Sequence, residues 1–215
     1  MSKAFARCGG QIRAKLHSIK YTVYYSGNDT PEHCHGMGIT VSKHLNKAVK
    51  HFVPISDRIA ILQMEGKPVN INIIIAYAPT AQKKDAIVEQ FYEKIQQTLK
   101  LTKTHHVNSK SEKVIARTML VTGLVERNER GERLIQHCQE KDLTVLNTFL
   151  QLPARRLSTW RSPQDNSQNI IENQIHYTLI KKRFWNSVLS VSTYPSAHIG
   201  SDHNLLMGVI VLRLK

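Results

Sequence analysis

The tripeptide Ser201-Asp202-His203, preceded by Gly200 and followed by the aliphatic run 205–212, brings a hydroxyl, a carboxylate and an imidazole to the mouth of a buried strand. Side by side on such a rim, an Asp and a His can act as an acid/base pair. The carboxylate raises the basicity of the imidazole, and the imidazole addresses a phosphate or a water. A turn-capping Asp next to a solvated His writes the same tripeptide, so these residues alone decide nothing. Around Ser158-Thr159-Trp160 stand Arg155, Arg156 and Arg161. An aromatic flanked by guanidinium groups suits a sugar–phosphate backbone, and it equally describes a buried Trp beside solvated charges. His33-Cys34-His35 has metal-binding residue types, but no second ligand pair lies at zinc-finger spacing, and a polar hairpin tip is the better reading.

These groups need elements to hold them. Residues 19–25 are β-branched and aromatic and predict a strand, the only one expected before residue 28, and glycines open a second strand over 36–41. The apolar runs 58–64 and 69–77 flank Glu65-Gly66-Lys67-Pro68, a glycine- and proline-bearing connection that makes them antiparallel neighbours. The second run delivers Tyr77 to the rim. Ile87, Val88, Phe91, Ile95 and Leu99 recur at helical spacing and predict a covering helix over 84–101. Residues 102–127 show no clear period and read as a loop followed by one irregular strand. A second amphipathic helix, capped by Asn128, runs to residue 142, and strands follow at 143–148, 173–180, 188–194 and after His203. Strand-rich halves, each with a helix, favour a layered α/β or α+β sandwich of mostly antiparallel strands.

At 215 residues and 41% hydrophobic content the chain can bury one sizeable core. Thirty Lys and Arg against sixteen Asp and Glu leave a formal charge of +14, enough to concentrate a polyanion such as nucleic acid at the surface. Cys8, Cys34 and Cys138 are odd in number and far apart, which supports neither a disulfide framework nor a zinc knuckle and points to a reducing, intracellular compartment, nuclear or cytoplasmic. No run approaches the roughly 18 apolar residues of a membrane span. A Rossmann or P-loop site is excluded by the lack of either glycine motif.

Five segments occur in an order that resembles the endonuclease/exonuclease/phosphatase superfamily: Tyr77-Ala78-Pro79-Thr80, Glu126-Arg127-Asn128-Glu129-Arg130-Gly131-Glu132-Arg133-Leu134, Ser158-Thr159-Trp160-Arg161-Ser162-Pro163, Asn173-Gln174-Ile175-His176-Tyr177 and Gly200-Ser201-Asp202-His203. More narrowly the chain resembles the craniofacial development protein 2-like branch, similar to the endonuclease domain of non-LTR retrotransposons. The likeness covers residues 21–215 and leaves 1–20 as a divergent basic segment. It implies a four-layer α/β/β/α sandwich and Mg2+-dependent phosphodiester hydrolysis, with DNA ahead of RNA as the polymer. By the same resemblance His203 contacts the phosphate, Asp202 belongs to the closing motif and is the candidate metal carboxylate, Tyr77 stands near the phosphate, and Asn173 joins the site. The nucleic-acid contacts fall to Arg155, Arg156, Trp160 and Arg161.

Three departures from the family pattern matter. The opening strands, one bearing the metal-binding Glu, would precede Tyr21, yet residues 1–20 contain no acidic residue. The Gly-Asp-x-Asn strand expected between 101 and 126 is missing, since no Gly in the chain is followed by Asp. Third, His176 replaces the Asp that holds the catalytic His. An imidazole supplies no fixed negative charge, although as a neutral partner it can hydrogen-bond His203 and keep its geometry. Two functions follow from this set: a divergent Mg2+-dependent nuclease of weakened activity, or a non-catalytic derivative, either a basic domain that binds nucleic acid or a retroelement-derived relic with no retained role. Loss of the opening strands also predicts an exposed sheet edge, at 19–25 or 205–212, open to self-association.

Overall fold

Strands in the first half of the chain form both where polar and apolar residues alternate, as over 11–17, and where the run is continuously apolar, as over 59–62. The computed structural model describes residues 3–8, 11–18, 20–28, 36–66, 70–104, 113–123, 128–149, 153, 156–162, 164, 171–195 and 201–211. It divides into two units, Met1–Tyr77 with Gln90–Ala116 and Ala78–Glu89 with Arg117–Lys215. The fold is mixed α/β and its sheets are built on antiparallel pairs.

The first unit opens with four strands, β1 (Lys3–Cys8), β2 (Gln11–His17), β3 (Tyr21–Asn28) and β4 (Gly36–Ser42), hydrogen-bonded in that order. The strands β1 and β2 correct the expectation that nothing regular precedes residue 19. Gln11-Ile12-Arg13-Ala14-Lys15-Leu16-His17 alternates polar with apolar, and Cys8 pairs with Gln11 across the intervening sequence Gly9-Gly10, a dipeptide suited to two-residue hairpins. The basic character of the segment hides that alternation without abolishing it. Because β2 pairs with β3 along its length, residues 21–28 are not the open edge the sequence suggested.

The strands β5 (Val49–Ser56), β6 (Ile59–Met64) and β7 (Ile71–Tyr77) form a second antiparallel set, with Leu62 opposite Ile73. The sequence did not announce β5, whose Pro54 argues against a strand. It is an end strand of its sheet, and its register shifts beside Pro54, the setting in which a sheet tolerates proline. One face, carrying Leu62, packs with Tyr24 and Val41 in a single core, and Phe52 meets the Tyr24 ring at 5.6 Å. The opposite face of β5 and β6 shares a cavity with Leu101 of α1 (Asp85–Thr104), so this helix lies on that side. The sequence helix ended at 101; the observed one runs one turn further, with Thr102 fully buried and bonded to the carbonyl of Leu99.

After α1 the chain forms β8 (Lys113–Gly123), a longer and more regular strand than the aperiodic sequence predicts. In the second unit, α2 (Glu129–Glu140) begins as expected, with the Asn128 side chain accepting the Gly131 N–H at 3.0 Å. Asp142, at φ 53°, turns the chain from the helix into β9 (Leu143–Val145). Asp is among the few non-glycine residues that enter this left-handed region readily. The strand expected over 143–148 stops at Val145, and α3 (Leu146–Phe149) is a single turn of helix. The remaining strands are β10 (Trp160–Arg161), β11 (Glu172–Lys181), β12 (Val188–Tyr194) and β13 (Leu205–Ile210). β9 and β10 both pair with β11, while β12 and β13 pair with each other over a core of Leu146, Ile180, Val191 and Leu206.

Candidate functional site

In the second unit three chain segments converge, and backbone hydrogen bonds do most of the positioning. Trp160 and His203 form an antiparallel bridge. Its flanks are the Arg161 N–H donating to the Asp202 carbonyl and the Asn204 N–H donating to the Thr159 carbonyl, each at 2.9 Å. On the other side Trp160 pairs with Asn173 of β11. The short strand β10 thereby holds the 202–204 segment and the start of β11 in fixed relation.

Two buried polar residues that the sequence reading passed over then fix the backbone of His176. The Thr159 hydroxyl oxygen accepts the N–H groups of Ile175 (2.7 Å) and His176 (3.0 Å). Asn147, at the α3 turn, donates to the His176 carbonyl and accepts from the Thr178 N–H, both at 2.8 Å. These bonds are also why β9 ends where it does: the Asn147 side chain takes the place of a strand partner. A hydroxyl inside Ser-Thr-Trp and an amide after an aliphatic run were the available signals, and each has many other meanings.

His176, 5% exposed, meets the half-buried His203 side on. Nε2 of His176 lies 3.0 Å from Nδ1 of His203, and the rings are within 9° of parallel with centroids 4.8 Å apart. One nitrogen donates and the other accepts, so the pair cannot hold both imidazoles protonated without losing its bond. An imidazole thus stands within hydrogen-bond distance of His203 at the position where the resemblance places a carboxylate, and it brings no fixed negative charge. The Asp202 carboxylate sits on the solvent side: Oδ2 accepts the Trp160 indole N–H at 2.7 Å, and Oδ1 accepts the Ser201 hydroxyl at 3.3 Å and lies 3.7 Å from Nε2 of His203. The indole hydrogen bond, aided by His203 and Ser201, holds the Asp202 carboxyl below the usual carboxylate range.

The other candidates have more particular positions. Asn173 contributes its carbonyl, which accepts the Thr159 N–H at 3.0 Å. Of the two readings of Trp160, neither anticipated that its ring nitrogen is committed to Asp202. Arg161 is exposed beside the site, and the Arg156 guanidinium lies over the Tyr194 ring at 5.5 Å. Tyr77 ends β7 in the first unit, with the Arg58 guanidinium 5.1 Å above its ring and Arg58 Nη1 donating to its carbonyl. Arg155 and His33-Cys34-His35 lie outside the described residues. Among the described residues no group of three or more His, Cys, Asp and Glu is gathered as a metal cluster would be. Mg2+ takes hard oxygen ligands, usually more than one carboxylate. The set around Asp202 does not fit it, because the neighbouring titratable groups are imidazoles and both carboxylate oxygens are already engaged.

Over 210 residues the chain is 34% identical to craniofacial development protein 2 of Bos taurus and, equally, to that of Tragulus javanicus. The chain is a homologue of craniofacial development protein 2. The match takes in 94% of the chain but 34% and 36% of those proteins, so the chain spans about a third of the length of the curated relatives it matches. No protein-family model matches it. The fold is that of the endonuclease/exonuclease/phosphatase proteins: the chain superposes on the endonuclease domain of TRAS1, a telomere-specific non-LTR retrotransposon (TM-score 0.65, 13% identity, 89% of this chain and 81% of that one). It also superposes on the 3′ phosphatase NExo from Neisseria bound to a product DNA hairpin (0.66, 13%, 90% and 80%) and on an AP endonuclease from Archaeoglobus fulgidus (0.64, 14%, 90% and 80%).

Proposed function

We propose that this craniofacial development protein 2 homologue uses an endonuclease fold to bind nucleic-acid backbones, DNA in preference to RNA, and that its phosphodiester hydrolysis is weak or lost. The observation that carries the reading is the pairing of His203 with His176. In the acid/base arrangement the resemblance implies, a carboxylate stabilises the imidazolium formed as the His takes up a proton, and its loss removes several orders of magnitude of rate in the well-studied serine proteases. A second imidazole offers a hydrogen bond and no negative charge. Binding needs no such precision. The net charge of +14 supplies counterion release, and the neighbour solved with a DNA hairpin supports DNA as the polymer.

Nicking of supercoiled plasmid in Mg2+, with an intact relative as the standard, tests the chemistry; turnover at least about a hundredfold lower is expected, given the size of the lost charge effect. Anisotropy of a labelled duplex across a salt titration tests the binding. Affinity should fall steeply and linearly in log–log form. Vigorous Mg2+-dependent nicking that disappears in Asp202→Ala, or a flat salt profile, would overturn the respective half of this reading.

A further inference from the structure

On the outer face of β5 and β6, within the first unit, lies a cavity of about 430 Å³, within the size range of small-molecule sites. Its floor and wall are aliphatic: Val53 and Ile55 from β5, Ile61 from β6 and Leu101 from α1. One end is polar. His51 and Gln63, directly paired across the two strands, share that face, and Lys50 stands at the mouth. The register continues the row one strand inward, because Gln63 is also paired with Asn72 of β7. Directly paired residues in an antiparallel sheet project from the same side.

Asn72 is the second observation. It is completely buried, and among the described residues neither its Nδ2 nor its Oδ1 has a hydrogen-bond partner. A buried amide left unmet opposes folding, so a polar row ending in such a group calls for an explanation other than stability. Gln63 stands between Asn72 and the cavity, and its amide can face either. The Lys50 ammonium is 3.4 Å from a Glu65 carboxylate oxygen, but both side chains are largely exposed, and such a pair gives way readily to a stronger anion.

We propose that this cavity binds a purine nucleotide unit, with the base against the aliphatic floor, its hydrogen-bonding edge toward Gln63 and His51, and its phosphate at Lys50. A glutamine amide presents a donor and an acceptor side by side, the complement of the N6/N7 edge of adenine; uracil offers a comparable pair at N3–H and O4, but on a single ring that covers less of the aliphatic floor. The aliphatic walls accept the flat faces of a two-ring heterocycle. The same unit could come from a free nucleotide or from a strand, and the strand source rests on the nucleic-acid reading above.

The full chain titrated with adenosine 5′-monophosphate should show saturable shifts of β5 and β6 amide resonances, with uridine 5′-monophosphate weaker by about tenfold. Gln63→Leu should weaken adenosine 5′-monophosphate binding, and Val53→Trp, which fills the floor, should abolish the shifts. If Val53→Trp fails to fold, Gln63→Leu carries the test alone. Tighter binding of oligo(dA) than oligo(dT), with oligo(dA) weakened in Gln63→Leu, assigns the site to a strand; adenosine monophosphate binding without an oligonucleotide preference assigns it to a free nucleotide. No saturation, equal affinity for the two monophosphates, or indifference to both variants overturns the proposal. Salt-dependent duplex binding that persists in Gln63→Leu separates a failure here from a failure of the nucleic-acid reading.

Discussion

At residue scale, two substitutions examine the chemistry of the candidate site. The Trp160 indole is the largest influence on Asp202, ahead of His203 and Ser201. Trp160→Phe removes that donor, so the Asp202 carboxyl, followed by its 13C resonance through an acid titration, should move up toward the ordinary value of about 3.9. An unchanged titration would mean that the indole hydrogen bond is not formed in solution. His176→Asp restores a negative charge beside His203, yet both Asp202 oxygens remain engaged and the residues around them still do not suit Mg2+. We therefore expect no recovery of Mg2+-dependent nicking in this variant. Strong recovery would show that charge at 176 was the only missing part. Legibility was uneven here: the Ser-Asp-His tripeptide and the His at 176 were visible as residue types, whereas Thr159 and Asn147 were not, because their importance lies in which carbonyl and N–H they meet across β11.

At element scale, side chains hold the stretch of β11 that lies between its pairings with β10 and β9, while β8 flanks the strand in the same sheet. Asn147→Ala strips partners from the His176 carbonyl and the Thr178 N–H. It should cost about 1–3 kcal/mol in urea unfolding, and a loss below about 0.5 kcal/mol would show that water replaces the amide. The helix α2 carries a pH-dependent contribution at His137. Burial, followed by repulsion from Arg133 and Lys141, lowers its pKa from 6.5 to about 4. The unfolded chain therefore binds a proton in this window that the folded chain does not. Stability is fully present above pH 6.5 and is lost as pH falls toward 4. The contribution amounts to about 2 kcal/mol between neutral pH and about pH 5, and His137→Gln should flatten the pH dependence of the urea midpoint by that amount. The same slope in wild type and variant would place the protonation elsewhere. Next to it, burial pushes the Cys138 thiol up to about 12, the behaviour of an inert core residue.

At the scale of the whole molecule, net charge and exposed apolar surface oppose each other. Leu205, Met207, Val209 and Val211 are all about 40% exposed, and among the described strands β13 pairs only with β12. A charge-free row of this kind favours association, while the +14 charge resists it. Concentration-dependent association, followed by light scattering and strengthened by salt, is expected, and Val209→Lys should suppress it without weakening duplex binding. A strictly monomeric wild type at high salt would remove the argument.

The sequence by itself determined the elements whose signal is local: the covering helix α1, the Asn128 cap of α2, the β6 and β7 pair, the terminal strand, and the resemblance that the homology and the fold bear out. Periodicity and caps act within a few residues, so a linear reading can find them. Only the tertiary structure decided that basic residues 11–17 form a strand, because the pairing with β3 across the sheet outweighs a composition that reads as a tail. It alone also decided that Trp160 serves Asp202, that His176 is a hydrogen-bond partner of His203, and that Thr159 and Asn147 hold β11. Each of those contacts joins residues distant along the chain, and hydrogen bonds depend on positions within a few tenths of an ångström that no sequence spacing specifies.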